Sequence, residues 1–181
     1  MSTQTLVEHN ITFLQQAVEL VESLDDAAYT ERRPPLFPSG IGDHLRHTIE
    51  HYQCFSAGLS TGRIDYDNRQ RDESISSSPS HAVAIIEGVI DELGDVPDSD
   101  SRITVRLDSS SDEGDDDPWS ESTVRRELQF LQAHTVHHYA LIAFILRLQG
   151  TEPSARFGVA PSTLRHRKAT GAESGVLPVN G

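Results

Sequence analysis

The sequence predicts an all-α fold: a four-helix bundle with a long crossover between its second and third helices. Apolar residues recur at intervals of three and four through four long segments, and this spacing is the period of an amphipathic helix. One stretch, RITVRLDSS, alternates apolar and polar residues, so we expect a short extended segment there, before the fourth helix. Four amphipathic helices with so little strand pack most readily as a bundle around one core.

The first half of the chain contains two predicted helices, at residues 4–24 and 40–59. The first carries apolar side chains at helical spacing, with no Gly or Pro to interrupt it. The intervening segment YTERRPPLFPSG is predicted as a loop, because its three prolines in five residues prevent helix formation. The second helix is expected to end near Gly58 and Gly62.

The second half begins with a polar stretch at residues 61–80, which we predict to be the crossover. The third helix is predicted at residues 80–94, where apolar residues again follow helical spacing. The fourth helix is predicted at residues 120–149, with Ser120 or Ser122 as its N-cap. These elements complete a single predicted domain.

Composition limits the class of protein. We place the domain at residues 1–165 and expect residues 166–181 to be a flexible tail. The net charge is −13, so the chain lacks the basic surface that nucleic acids and anionic membranes require, and we expect neither as a partner. The acidic run at residues 108–117 lacks the register of a calcium loop and is expected to be solvated. With no membrane span, no signal-peptide pattern and only Cys54, the chain is expected to be cytoplasmic.

Histidines are clustered on two of the predicted helices. His134 and His138 are four residues apart, so they lie one turn apart on one face of the fourth helix, within an apolar stripe. On the second helix, His44, His47 and His51 fall within an arc of about 60° beside the apolar face. Imidazoles in such a stripe are costly unless their nitrogens are satisfied, and a divalent metal satisfies them well. The residues alone leave a second interpretation open, in which the histidines bond to one another and to carboxylates without a metal.

Four segments resemble the DinB-like proteins, the DNA-damage-inducible group of the bacillithiol-transferase-like four-helix superfamily: SGIGDHLRHTIEHYQCF, IDYDNRQRD, RRELQFLQAHTVHHYALI and FGVAPSTLRH. The resemblance extends from about Tyr29 to Leu164. It implies a four-helix bundle with a long crossover, and a metal site formed by His47, His134 and His138. Several members of that superfamily transfer low-molecular-weight thiols or carry out metal-assisted hydrolysis.

The remaining histidines of the second helix have supporting roles in this hypothesis. We expect His44 to orient a metal ligand from outside the ligand set, and His51 to accept a proton, a role that falls to Glu50 if the helix is rotated. Either histidine replaces His47 as the ligand if the helix is rotated from the expected position. Three imidazoles suit Zn²⁺, Ni²⁺, Fe²⁺ and Mn²⁺, so the sequence does not select the metal.

The sequence favours a metal-dependent enzyme. A divalent ion with three neutral ligands keeps its charge and an open position, which lowers the pKa of a bound water or thiol. We therefore expect thiol S-transferase-like or hydrolase-like chemistry on a small molecule, which includes a thiol substrate. The alternative is a non-catalytic metal- or ligand-binding bundle in a stress response.

The crossover carries a dense polar set: Tyr66, Arg69 and Arg71 in the segment DYDNRQRD. Guanidinium groups bind carboxylates through two parallel hydrogen bonds, so we predict that this set binds an anionic substrate. The alternative is that the two arginines tie the crossover to helix ends through ion pairs.

The fourth helix is apolar nearly all round after its histidine pair. Ala140, Ala143 and Phe144 lie opposite Ile142 and Ile145, and a single bundle covers only one face of a helix. The second face needs a cover, which is the crossover, the C-terminal segment or a second subunit. We expect a homodimer, because two-fold pairs are the commonest oligomers.

Overall fold

The computed structural model describes residues 1–107 and 119–170. Four long helices are present, as predicted, at α1 (Thr3–Ser23), α3 (Ile41–Leu59), α5 (Pro79–Gly94) and α6 (Val124–Leu148). Helix α1 packs against both α5 and α6, and α3 packs against the same two helices. The four helices therefore form a closed ring of contacts around one core.

The mostly helical architecture is confirmed, but the all-α class is not, because a three-stranded sheet stands beside the helices. Its strands are β1 (Arg63–Asp65), β2 (Arg102–Arg106) and β3 (Trp119–Thr123), in the order β1-β2-β3. Strand β1 pairs with β2 in parallel and β3 pairs with β2 in antiparallel orientation. The RITVRLDSS segment is thus the central strand of a sheet whose neighbours come from distant parts of the chain.

The start of the fourth helix needs correction. Strand β3 occupies the first residues predicted to be helical, and α6 begins at Val124. Thr123, in extended conformation, is the N-cap, and its hydroxyl accepts a hydrogen bond from the backbone N–H of Arg126. Ser120 and Ser122 lie within the strand instead. Hydrogen bonds to β2 satisfy the backbone N–H and C=O groups of these residues. They are therefore extended, although their sequence pattern predicts helix.

Three short helices complete the described chain: α2 (Asp26–Thr30), α4 (Glu73–Ser77) and α7 (Pro161–Thr170). Helix α2 precedes the predicted loop and overlaps it only at Tyr29 and Thr30, and the crossover contains β1 and α4. Helix α7 continues past the expected domain boundary at residue 165. The acidic run at residues 108–117 and the chain from residue 171 onward lie outside the described residues.

A buried polar network links three of the long helices. The Tyr52 hydroxyl donates to Asn10 Oδ1 at 2.8 Å and lies 2.9 Å from Thr135 Oγ1. Asn10 Nδ2 also donates to the carbonyl oxygens of Leu6 and Leu128. Because buried polar groups must be satisfied, these bonds fix the register of α3 against α6. Tyr52 and Thr135 each adjoin a histidine of the candidate site, so this register also positions the site.

One face of α6 stays open to solvent. The side chains of Leu141 and Phe144 are 37% and 56% exposed, whereas Ala143, expected on the uncovered face, is buried. The C-terminal segment covers part of the helix, since the Phe157 ring stacks on Tyr139 with centroids 4.6 Å apart. Homodimer formation through Phe144 stays a prediction. No helix among the described residues is long and apolar enough to cross a membrane.

Candidate metal centre

The three histidines predicted as metal ligands lie together where α3 packs against α6. Ring centroids are 5.0 Å apart for His47 and His134, 4.7 Å for His47 and His138, and 4.6 Å for His134 and His138. Two helices thus supply one imidazole and an i, i+4 pair to a common space. That these three rings hold one metal ion stays a prediction.

His51 is as close to this group as His138 is. Its ring centroid lies 4.3 Å from that of His134 and 4.5 Å from that of His47. One nitrogen from each of His47, His51 and His134 lies within 4.8 Å of the others, and His138 is not part of this set in the described chain. Two overlapping triads therefore share His47 and His134, and they differ in whether His138 or His51 supplies the third nitrogen.

Hydrogen bonds orient the ring of His51 and link the rings of His44 and His138. His51 Nδ1 lies 2.7 Å from the carbonyl oxygen of His47; a carbonyl only accepts, so Nδ1 carries the proton and Nε2 keeps its lone pair. His44 Nδ1 lies 3.1 Å from His138 Nδ1, so one of these imidazoles donates to the other. His44 thus contacts a predicted ligand from outside the triad.

The Nε2 atom of His134 is buried and has no hydrogen-bond partner among the described residues. An unpaired buried donor or acceptor costs free energy, and native interiors rarely leave one without a reason. A cation placed among neighbouring imidazole nitrogens would satisfy it. The donor set therefore fits a divalent metal ion of the borderline class that prefers nitrogen ligands.

Burial keeps the cluster neutral. It lowers the pKa of His47 and of His134 from 6.5 to about 4, that of His51 to about 3 and that of His138 to about 2. Neighbouring imidazoles, which repel one another when protonated, add to the effect. The pKa of His44 is lowered by burial as well. At neutral pH each ring therefore offers a lone pair, the form in which imidazole binds metals.

The cluster is open on one side and closed on the other. A cavity of about 420 Å³ lies against its open side, lined by Arg32, Pro38, Ser39, Asp43, His44, Arg46, His47 and His138. On the closed side, the Phe130 ring lies 5.5 Å from that of His134, and the Tyr66 ring stacks on His51 at 5.5 Å. A small molecule in the cavity would thus meet imidazoles directly, while aromatic rings shield them from behind.

The predicted substrate-binding residues are not among those that line this cavity. Tyr66 is buried and its hydroxyl donates to Glu127 Oε2 at 3.0 Å. Arg69 Nη1 donates to the carbonyl oxygen of Tyr66 at 2.5 Å, and Arg69 Nε lies 3.9 Å from Glu50 Oε2. Arg71 is exposed. These contacts match the alternative interpretation for Arg69, in which it ties the crossover to α3. Substrate binding by the set stays a prediction.

Fold and site together define a mostly helical protein with a histidine cluster suited to a divalent metal. The chain belongs to the DinB superfamily, whose family model matches residues 12–142, and the predicted resemblance is thereby confirmed. The matched region contains every histidine of the cluster.

The chain is also similar to a protein named FK506-binding protein 5 from Rhizopus delemar, with 30% identity over 110 residues. That alignment covers 58% of this chain and 28% of the fungal protein, so the chain spans only a minor part of that relative's length. No solved structure matches the chain.

Proposed function

We propose that this protein is a metal-dependent enzyme that transfers a small-molecule thiol to an electrophile. One observation carries the proposal: an unpartnered, buried imidazole nitrogen of His134 lies in a cluster of neutral histidines that forms the wall of a cavity. Neutral ligands favour such chemistry, because they leave the full charge of a bound cation available. We also propose that the four long helices form the four-helix bundle of the superfamily.

His47 and His134 belong to both candidate triads, and we propose His138 as the third ligand. When bound, a divalent ion lowers the pKa of a coordinated thiol or water toward neutrality. His44 holds the ring of His138 through the contact between their Nδ1 atoms. On the other side of the cluster, Tyr66 and Phe130 exclude water from the rings that they cover.

Hydrolysis is the second candidate. His51 donates its Nδ1–H to the carbonyl oxygen of His47, so its Nε2 keeps a lone pair beside His47 and His134 and is able to accept a proton. Deprotonation of an attacking water requires such a group close to the metal. A thiol ionises more readily than water, so the transferase reaction depends less on this acceptor.

Turnover measurements separate the two reactions from non-catalytic binding. The chain is purified without a histidine tag, loaded in turn with Zn²⁺, Ni²⁺, Mn²⁺ and Fe²⁺, and supplied with an alkyl halide and a panel of cellular thiols, or with an activated ester. We expect thiol conjugation above the uncatalysed rate, and its loss in His134→Ala. Ester hydrolysis alone would establish the hydrolase, and bound metal without turnover of either substrate would leave a binding protein.

A further inference from the structure

We propose that the cavity beside the histidine cluster binds the carboxylate of an acidic small molecule through Arg46. Binding of the acid does not depend on the proposed function. Only the role of that acid as a substrate rests on it. It assigns the anion site to α3, whereas the sequence pointed to Arg69 and Arg71 in the crossover.

Arg46 lines the cavity, and one of its N–H groups has no acceptor among the described residues. It directly precedes His47 on α3, both residues line the cavity, and the Arg46 side chain is only 21% exposed. Its Nε atom is buried with no hydrogen-bond partner among the described residues. An N–H of a charged guanidinium requires an acceptor in such a place, and a carboxylate oxygen is the acceptor that matches it best.

Arg46 also supplies the net charge of the cavity wall. Arg32 is already neutralised, because its Nε and Nη2 atoms donate to the two carboxylate oxygens of Asp43 at 2.7 and 2.6 Å. Asp43 accepts a further hydrogen bond from the backbone N–H of Gly40. Asp43 is the one carboxylate among the lining residues, so within the lining no second carboxylate balances the charge of Arg46. This positive wall stands out in a chain with a net charge of −13.

The present partner of Arg46 is replaceable. Arg46 Nη1 donates to the carboxylate of Glu73, whose side chain is 73% exposed and is not part of the cavity lining. Ion pairs of so exposed a carboxylate contribute little, since water solvates the charge almost as well. A ligand carboxylate inside the cavity can therefore take the place of Glu73 or share the guanidinium with it.

The position of Arg46 defines the class of ligand. A carboxylate held there leaves the rest of the molecule against His47 and His138, which line the same cavity. The volume of about 420 Å³ is within the range for small-molecule sites. The ligand is thus a compact acid whose reactive group lies beside the imidazoles.

A matched pair of thiols tests this assignment. Mercaptobutyrate and mercaptobutanol are titrated into the cobalt(II)-loaded chain, and the sulfur-to-metal charge-transfer absorption reports binding. We expect the acid to bind about tenfold more tightly than the alcohol. Arg46→Met should abolish that preference, Arg46→Lys should restore part of it, and Glu73→Gln should increase it. The control Arg147→Met removes the same charge from an arginine that pairs with exposed Glu152, and should change nothing.

The outcomes separate the two proposals. Equal binding of both thiols to the wild-type chain, or a preference that survives Arg46→Met, would overturn the carboxylate site and leave the proposed function standing. If neither thiol perturbs the cobalt spectrum, thiol chemistry fails, and butyrate titrated into the metal-free chain decides the carboxylate site. Butyrate binding must then weaken in Arg46→Met and not in Arg147→Met. Circular dichroism confirms that each variant is folded.

Discussion

The Nδ1 atoms of His44 on α3 and His138 on α6 lie 3.1 Å apart, at the wall of the cavity. One nitrogen donates and the other accepts, so the contact exists only while at least one ring is neutral. Protonation of both rings would place two cations at hydrogen-bonding distance in a buried site. The packing of α3 against α6 is therefore coupled to the protonation state of the cluster.

Acid should destabilise the metal-free protein between pH 6.5 and about 4. The pKa of His47 and of His134 is lowered from 6.5 to about 4 in the folded chain, so the unfolded chain binds more protons between these values. Above pH 6.5 the histidines are neutral in both the folded and the unfolded chain, and the free energy of unfolding keeps its full value. It decreases as the pH falls from 6.5 through about 4. Urea unfolding with a chelator present measures this. His166→Gln, at an exposed position on α7, should leave the pH dependence unchanged, and a free energy of unfolding that stays constant over this interval would contradict the prediction.

Substitution His134→Ala should abolish metal binding and leave the fold intact. The substitution removes a nitrogen common to both triads, whereas the long helices bury a core of Leu, Ile, Val and aromatic side chains that does not depend on a metal. Metal content and far-ultraviolet circular dichroism should be measured on the same sample, with His137→Ala, one turn away and exposed, as the control. Loss of helical signal together with metal would show that the metal is structural.

Substitution Tyr52→Phe should lower the free energy of unfolding by about 1–3 kcal/mol, because Asn10 Oδ1 then loses its donor in a buried site. The same variant should weaken metal binding, since Tyr52 fixes the register between the two histidine-bearing helices. Urea unfolding and competition with a chromophoric chelator check the two effects. Phe55→Leu, a change in the same helix without loss of a hydrogen bond, is the control. A destabilised variant with unaltered metal affinity would show that the network does not position the histidines.

Self-association should depend on the uncovered face of α6. Phe144 is 56% exposed and Leu141 is 37% exposed, and a second copy of the chain would remove both from water. Light scattering at micromolar concentration should give about twice the chain mass of 20.0 kDa, and Phe144→Glu should halve it. Leu107→Glu introduces the same charge at another exposed apolar residue, at the end of β2, and should have no effect. A wild-type monomer under these conditions would refute the dimer.

The helices and the histidine cluster were predictable because both follow from local periodicity. An i, i+4 pair within an apolar stripe must face the interior of a helical packing, and so must the histidines beside the apolar face of α3. The sheet was not predictable in the same way. Strand β1 pairs with residues far along the chain, and β3 carries a polar pattern that directly precedes a helix. Only the partner strand determines that these residues are extended.

The arginines show a second limit of what can be predicted from the sequence. Arg69 and Arg71 attract attention because they lie in a dense polar segment, whereas Arg46 is surrounded by more conspicuous histidines. Contacts between distant parts of the fold determine which guanidinium has a donor without an acceptor. Arg69 Nη1 donates to the carbonyl oxygen of Tyr66, whereas the Nε of Arg46 has no acceptor among the described residues. No spacing rule reports this difference.

The most direct test of the account is a crystal of the metal-loaded protein measured at the absorption edge of the bound ion. We expect one anomalous peak between α3 and α6, with ring nitrogens of His47, His134 and His138 at about 2.0–2.1 Å if the ion is zinc. A peak bound by His51 in place of His138 would keep the metal centre and correct its third ligand. A protein that takes up no ion, or an ion bound away from both His47 and His134, would contradict the account.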